Sequence, residues 1–237
     1  HSDPFEILQH LMIGSEGTLG FIAEVTYNTV VDHPYKSSAF LCFKSVEAAC
    51  DAVKVLKEAS VTAVELMDNP ALQSIRGMPG VPDFIGEIDN YTTALLVDVR
   101  AENQDLLACR QADLTKLCSK FSLVWPCRFS KSLTQYQSYW KVRKGLFPAV
   151  GASRPKGTTV IIEDVAFPVD FLAAAVVELQ ALFIKHGYSE AIIFGHALEG
   201  NLHFVFCQAF DTQAEVSRYD GFMQDVANLV VDGYQGS

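Results

Sequence analysis

At 237 residues, 49% of them apolar, the chain is long enough for one large domain or two small ones with a substantial core. A net charge of −10 with no basic cluster argues against nucleic acid or anionic membrane as a partner. Cys42, Cys50, Cys109, Cys118, Cys127 and Cys207 form no Cys-x-x-Cys and read as reduced, mostly buried thiols, and the most apolar helical run, Phe171 to Ile184, is too short to span a bilayer; with no secretory signal read at the start, a cytoplasmic location is expected.

Taken in order, Ile7 to Ile13 is a short apolar segment. Gly14-Ser15-Glu16-Gly17-Thr18-Leu19-Gly20 follows, and its glycines let backbone amides approach an anion or a flat ring, though a plain turn before a strand is the simpler account. Phe21 to Tyr27 reads as that strand, and the entry to the next unit lies near Asp32-His33-Pro34. Beyond it the expected order is a strand at 39–43, a helix at 46–59 capped by Ser45, a strand at 61–67, a loop through Asn69-Pro70 and residues 77–82, a strand at 92–99, a helix at 102–120 and a strand at 122–126. This β-α-β-β-α-β order is the ferredoxin-like split βαβ pattern: an α+β fold with an antiparallel sheet and helices packed on one face. Asp68 reads as a solvated helix cap.

Leu133 to Phe147 reads as a helix ended by Pro148, carrying Tyr136, Tyr139, Trp140, Lys141, Arg143 and Lys144. Either it is an amphipathic helix with a solvated basic edge, or Arg143 grips a substrate carboxylate through its planar fork, with Lys144, Arg154 and Lys156 as further candidates. A strand at 160–167, a helix at 169–186, two strands flanking residues 195–201 and a helix at 212–231 complete the pattern. Between the last two strands, Gly195-His196-Ala197-Leu198-Glu199-Gly200-Asn201-Leu202-His203 places His196 and His203 side by side at the mouth of a hairpin. Such a pair on a stiff ladder starts a divalent-metal site, or else it is two unrelated histidines satisfied by backbone carbonyls.

Two motifs carry a resemblance. Gly-His-x-x-x-Gly-Asn-Leu-His is similar to the metal motif of FAD-linked oxidases of the vanillyl-alcohol oxidase type, and most resembles the D-lactate and D-2-hydroxyglutarate dehydrogenase branch, which usually has Gly-Asp-Gly where this chain has Leu198-Glu199-Gly200. Gly-Ser-Glu-Gly-Thr-Leu-Gly followed by an apolar residue is similar to the end of the same family's FAD-binding domain. Glu65-Leu66-Met67-Asp68 and Asp164-x-x-x-Pro168 also match stretches of the family. The resemblance implies that 1–34 is the end of an FAD-binding domain, with Ser15, Glu16, Gly17, Thr18, Leu19, Gly20 and Ile22 against the flavin, and that 35–237 is the C-terminal substrate or cap domain, truncated at its end. It implies oxidation of a small anionic D-2-hydroxy acid, D-lactate or D-2-hydroxyglutarate, by hydride transfer to FAD, with Arg143 on the substrate carboxylate. His196 and His203 would hold a divalent metal, zinc first, while the third ligand and catalytic histidine, an adjacent Glu-His pair in the family, would follow Ser237.

The likeness to large bacterial members further implies an iron–sulfur domain, a quinone or other electron acceptor, and a site in the cytoplasm or peripheral to the inner membrane. Residues 1–20 would fold back or pair with another copy across a sheet edge, a route to a homodimer. Two other classes stay open: a non-catalytic ferredoxin-like binding module, and a zinc hydrolase, for which Glu199 is the nearby carboxylate.

Overall fold

The computed structural model describes residues 2–237, which divide after Asp32 into two compact units. In the first, helix α1 (Pro4–Met12) is capped by Asp3, whose side chain accepts from the Phe5 amide. The strand expected at Phe21 to Tyr27 does not form a ladder: residues 13–32 carry no regular structure, and Phe21, Tyr27 and Val30 lie exposed. A strand is stable only when its backbone groups find a neighbouring strand, and among the described residues none pairs with this segment.

The second unit is built on one antiparallel sheet. Its strands are β1 (Tyr35–Phe43), β2 (Ala63–Met67), β3 (Thr93–Ala101), β4 (Thr159–Ala166), β5 (Ile192–His196) and β6 (Asn201–Gln208), in the order β1-β3-β2-β5-β6-β4. Helices α2 (Val46–Lys57), α4 (Gln104–Cys118), α6 (Leu172–Lys185) and α7 (Gln213–Ala227) cover one face. The α+β architecture with an antiparallel sheet therefore stands. The opposite face is covered too, by α3 (Asn69–Ser74) and the long α5 (Leu133–Ser153). Strand side chains alternate between the two cores: Leu41, Leu66, Leu95 and Phe204 face the first, and Phe40, Met67, Leu96, Phe194 and Val205 the second.

Three local expectations give way. The strand expected at 122–126 is reduced to an isolated bridge, Leu123 to Phe43, because Pro126 has no N–H to continue a ladder; a second bridge, Phe129 to Ala39, lies beyond it. Asn69-Pro70, expected as a breaker, opens α3, where a proline in the first turn costs no hydrogen bond. Pro148 does not end α5, which runs to Ser153; losing one helical bond is offset by burial of Ala149 and Val150 in the second core.

The β5–β6 hairpin depends on two glycines. Gly200 has φ +67°, and a Cβ there would lie 1.9 Å from the Phe167 oxygen; at Gly195 a Cβ would meet the Asn201 oxygen at 2.7 Å. Gly200→Ala should therefore destabilise the domain by about 2 kcal/mol or more, since strain and a clash add. Gly151→Ala, within α5 and with nothing within 4 Å of the new methyl, should instead gain up to about 1 kcal/mol. Urea unfolding of both variants checks the contrast.

Candidate functional site

The two histidines of the hairpin share a face. His196 stands two residues beyond Phe194, and His203 two before Val205; both neighbours lie in the second core. Their rings are 5.3 Å apart and nearly perpendicular. Neither is satisfied by a backbone carbonyl. His196 Nδ1 lies 2.7 Å from Glu65 Oε1, and His203 Nδ1 is hydrogen-bonded to Asp164 Oδ1. A neutral imidazole that donates from Nδ1 to a carboxylate keeps its lone pair on Nε2, the arrangement usual for a metal-ligating histidine. Two imidazoles supported in this way on one face are the donor type that a divalent ion takes. Among the described residues, no group of three or more His, Cys, Asp or Glu side chains is placed to hold an ion.

Glu65 is the centre of the arrangement. The β2–β5 ladder sets it directly opposite His196, and it is 3% exposed. Its second oxygen, Oε2, accepts from Arg143 Nε at 2.6 Å. The Arg143 guanidinium also lies 4.4 Å from the centre of the Phe194 ring, and Phe194 packs 5.4 Å from the His203 ring. Arg143, Glu65, His196, His203 and Asp164 therefore form one contiguous polar cluster, with Phe194 as its apolar floor.

The sequence singled out the histidines and Arg143, and the fold brings all three together. It gave Glu65 and Asp164 no role of their own, and Glu199 was the carboxylate expected near the hairpin. The overlooked signal was a carboxylate inside the buried run Val64-Glu65-Leu66-Met67, which has to find partners. Lys144 lies beside Arg143 on α5 and lines a separate cavity with Arg100, Tyr136, Trp140 and Lys141. Arg154 donates to Gly151 past the far end of α5, about 16 Å along the helix from Arg143 at 1.5 Å per residue, and Lys156 lies beyond it.

In the first unit, Ser15 to Gly20 form an irregular turn in which Gly14, Glu16 and Gly17 have positive φ and the Thr18 amide donates to the Ser15 oxygen at 2.8 Å. Leu19 and Ile22 are exposed, and nothing lies within 4 Å of where a Cβ on Gly14 or Gly17 would be. Such an open backbone fits the approach of a flat cofactor.

Residues 32–237 match the family model described as FAD linked oxidases, C-terminal domain, and the chain belongs to that family of oxidoreductases. It is 27% identical over 203 residues to a mitochondrial D-2-hydroxyglutarate dehydrogenase of Arabidopsis thaliana, covering 83% of this chain and 34% of the relative. It is 24% identical to a probable mitochondrial D-lactate dehydrogenase of Danio rerio, covering 95% and 44%, and 25% identical to the glycolate oxidase subunit GlcD of Bacillus subtilis, covering 95% and 46%. The chain thus spans less than half the length of these relatives. Among solved structures, alkyldihydroxyacetonephosphate synthase superposes with a TM-score of 0.64 at 16% identity, over 97% of this chain and 44% of that one, which shows the shared fold. No helix among the described residues is long and apolar enough to cross a membrane.

Asp68 lies just past Glu65 in the sequence and, contrary to expectation, is not solvated. It caps α3, accepting from the Ala71 amide at 3.0 Å and from Gln180 at 3.2 Å, but is 1% exposed. Burial pushes its carboxyl from 3.8 up to about 7, against hydrogen bonds from Ala71, Ile193 and Gln180 that lower it. The folded state then binds this proton more tightly than the unfolded chain. The resulting stability is fully present below the unfolded value of 3.8 and is lost as pH rises through about 7. Asp68→Asn should remove that dependence, so urea midpoints at pH 5 and 8 should differ less in the variant than in the wild type.

Proposed function

We propose that this chain is the substrate-binding portion of an FAD-dependent dehydrogenase that oxidises the 2-hydroxyl of a small anionic D-2-hydroxy acid, with D-lactate and D-2-hydroxyglutarate as the leading substrates. The observation that carries this is the adjacency of a buried arginine and two carboxylate-supported histidines on one face of the sheet. The names of the relatives support the substrate class. Bound flavin and a divalent ion, zinc first, would supply a hydride acceptor and a Lewis acid.

The chain's own residues then have separable tasks. Arg143, with Nε held by Glu65, would turn its terminal N–H groups to the substrate carboxylate and fix the direction of the C2–H bond. Phe194, stacked under the guanidinium, keeps one side of that contact dry. His196 and His203 would offer Nε2 to the ion, with Glu65 and Asp164 holding the imidazoles in the required tautomer. Residues 1–34 would close the flavin domain, with Ser15 to Gly20 and Ile22 against the flavin. For the full-length protein we extend the reading to an iron–sulfur domain, a quinone or other acceptor, and a cytoplasmic site with peripheral contact to the inner membrane.

In the full-length protein, Arg143→Ala should lower kcat/KM for the 2-hydroxy acid by about 3 kcal/mol, roughly a hundredfold, as expected for a charged contact in a dry site. Arg143→Lys should recover part of this, because an ammonium keeps the charge but not the fork. Steady-state assays with a dye acceptor check both, and an unchanged kcat/KM removes Arg143 from the site. A chelator should abolish turnover, and zinc should restore it. A correctly folded full-length protein without flavin absorbance in the visible would favour a non-catalytic binding module instead.

A further inference from the structure

We infer that Glu65 is a positioning residue that couples the carboxylate clamp to the histidine pair, so that filling one raises the affinity of the other; this rests on the reading of Arg143, His196 and His203 given above. Each carboxylate oxygen of Glu65 serves a different partner: Oε1 accepts from His196 Nδ1 at 2.7 Å, and Oε2 accepts from Arg143 Nε at 2.6 Å. Its side chain is 4% exposed, so it cannot exchange either partner for bulk water. Strand pairing opposite His196 fixes its backbone position. A buried carboxylate with both oxygens engaged transmits a displacement or a change of charge from one partner to the other, since each contact strengthens as the opposite one weakens.

Asp164 provides an internal contrast. It supports His203 in the same way, but its side chain is 64% exposed and no arginine among the described residues shares it. Water can replace what it loses. The two histidines are therefore held by unequal carboxylates, and only the one on β2 also reaches the arginine. When a ligand carboxylate takes up the guanidinium's terminal N–H groups, part of the charge that held Glu65 is drawn away. Glu65 then pulls harder on the His196 Nδ1 proton, which makes Nε2 a better donor to an ion. By thermodynamic linkage, the ion must tighten the carboxylate by the same factor.

The full-length protein tests this with Co(II) as the metal, titrated through its visible absorption, and propionate, which lacks the 2-hydroxyl, as the probe of the clamp. In the wild type, saturating propionate should tighten Co(II) about five- to tenfold. Glu65→Gln is nearly isosteric, but its amide can accept through one oxygen only. It should weaken Co(II) about ten- to a hundredfold and abolish the propionate effect. Asp164→Asn should weaken Co(II) and leave the propionate effect intact. A Glu65→Gln protein with wild-type Co(II) affinity and wild-type coupling overturns the inference. If that variant does not fold, Arg143→Lys answers the same question: it removes the Nε contact to Glu65, so the propionate effect on Co(II) affinity should fall, and full coupling in it overturns the inference. A wild-type protein that binds Co(II) with no response to propionate overturns this inference alone; one that binds no Co(II) removes the metal reading as well.

Discussion

Three residue pairs between β2 and β5 join the two halves of the sheet: Glu65 with His196, Leu66 with Gly195 and Met67 with Phe194. The ladder is short because β2 and β5 are only five residues each, yet the candidate site depends on it. It sets a carboxylate from the first half opposite an imidazole from the second. It also requires a glycine at 195, where a side chain would collide with the backbone of Asn201 and Leu202 across the hairpin. Leu66 and Met67 on the same strand face opposite cores, so burial on both sides holds the register.

A charge placed at such a seam has to be neutralised, and α5 does this. The helix lies across the second face with Tyr139, Val142, Leu146, Ala149 and Val150 buried against the strands. Its apolar stripe places Trp140 and Arg143 over two buried carboxylates. Trp140 donates to Asp98 at 3.3 Å, where Ser38 and Arg100 also donate, and Arg143 donates to Glu65. Removing one partner from a buried pair costs about 3–5 kcal/mol, whereas an exposed pair contributes little. The Lys185–Asp225 bridge, with the lysine 62% exposed, belongs to the second kind. Glu65 and Asp98 therefore constrain the position of α5 more than the surface charges do, and a site built on that helix inherits its rigidity.

Much of this was legible in the linear chain. Short apolar runs marked β1 and β3, alternation marked β6, helical spacing marked α2, and Ser45 and Thr212 cap their helices as such residues should. The hairpin was readable because its spacing and its glycines are local properties. So was Arg143, on a segment where aromatic and basic side chains alternate. What failed were the strand at Phe21 to Tyr27, which pairs with nothing among the described residues, and boundaries at prolines. Pro148, Pro126 and Pro70 each have a local preference, and at Pro148 tertiary burial overrode it, while at Pro70 position within the helix decided its effect.

The chain by itself determined the fold class, most of the elements and the family, because periodicity, capping and motif spacing act between near neighbours. It did not determine the partners of the site. Glu65 lies 131 residues from His196 and 78 from Arg143, and Asp164 lies 39 from His203. Nothing in local spacing says that these carboxylates, rather than Glu199, meet the histidines. Nor does anything local say that Asp68 is dry rather than solvated. Those outcomes follow from strand order and from α5 crossing the sheet, which pair residues distant in sequence and set which charges lose their water.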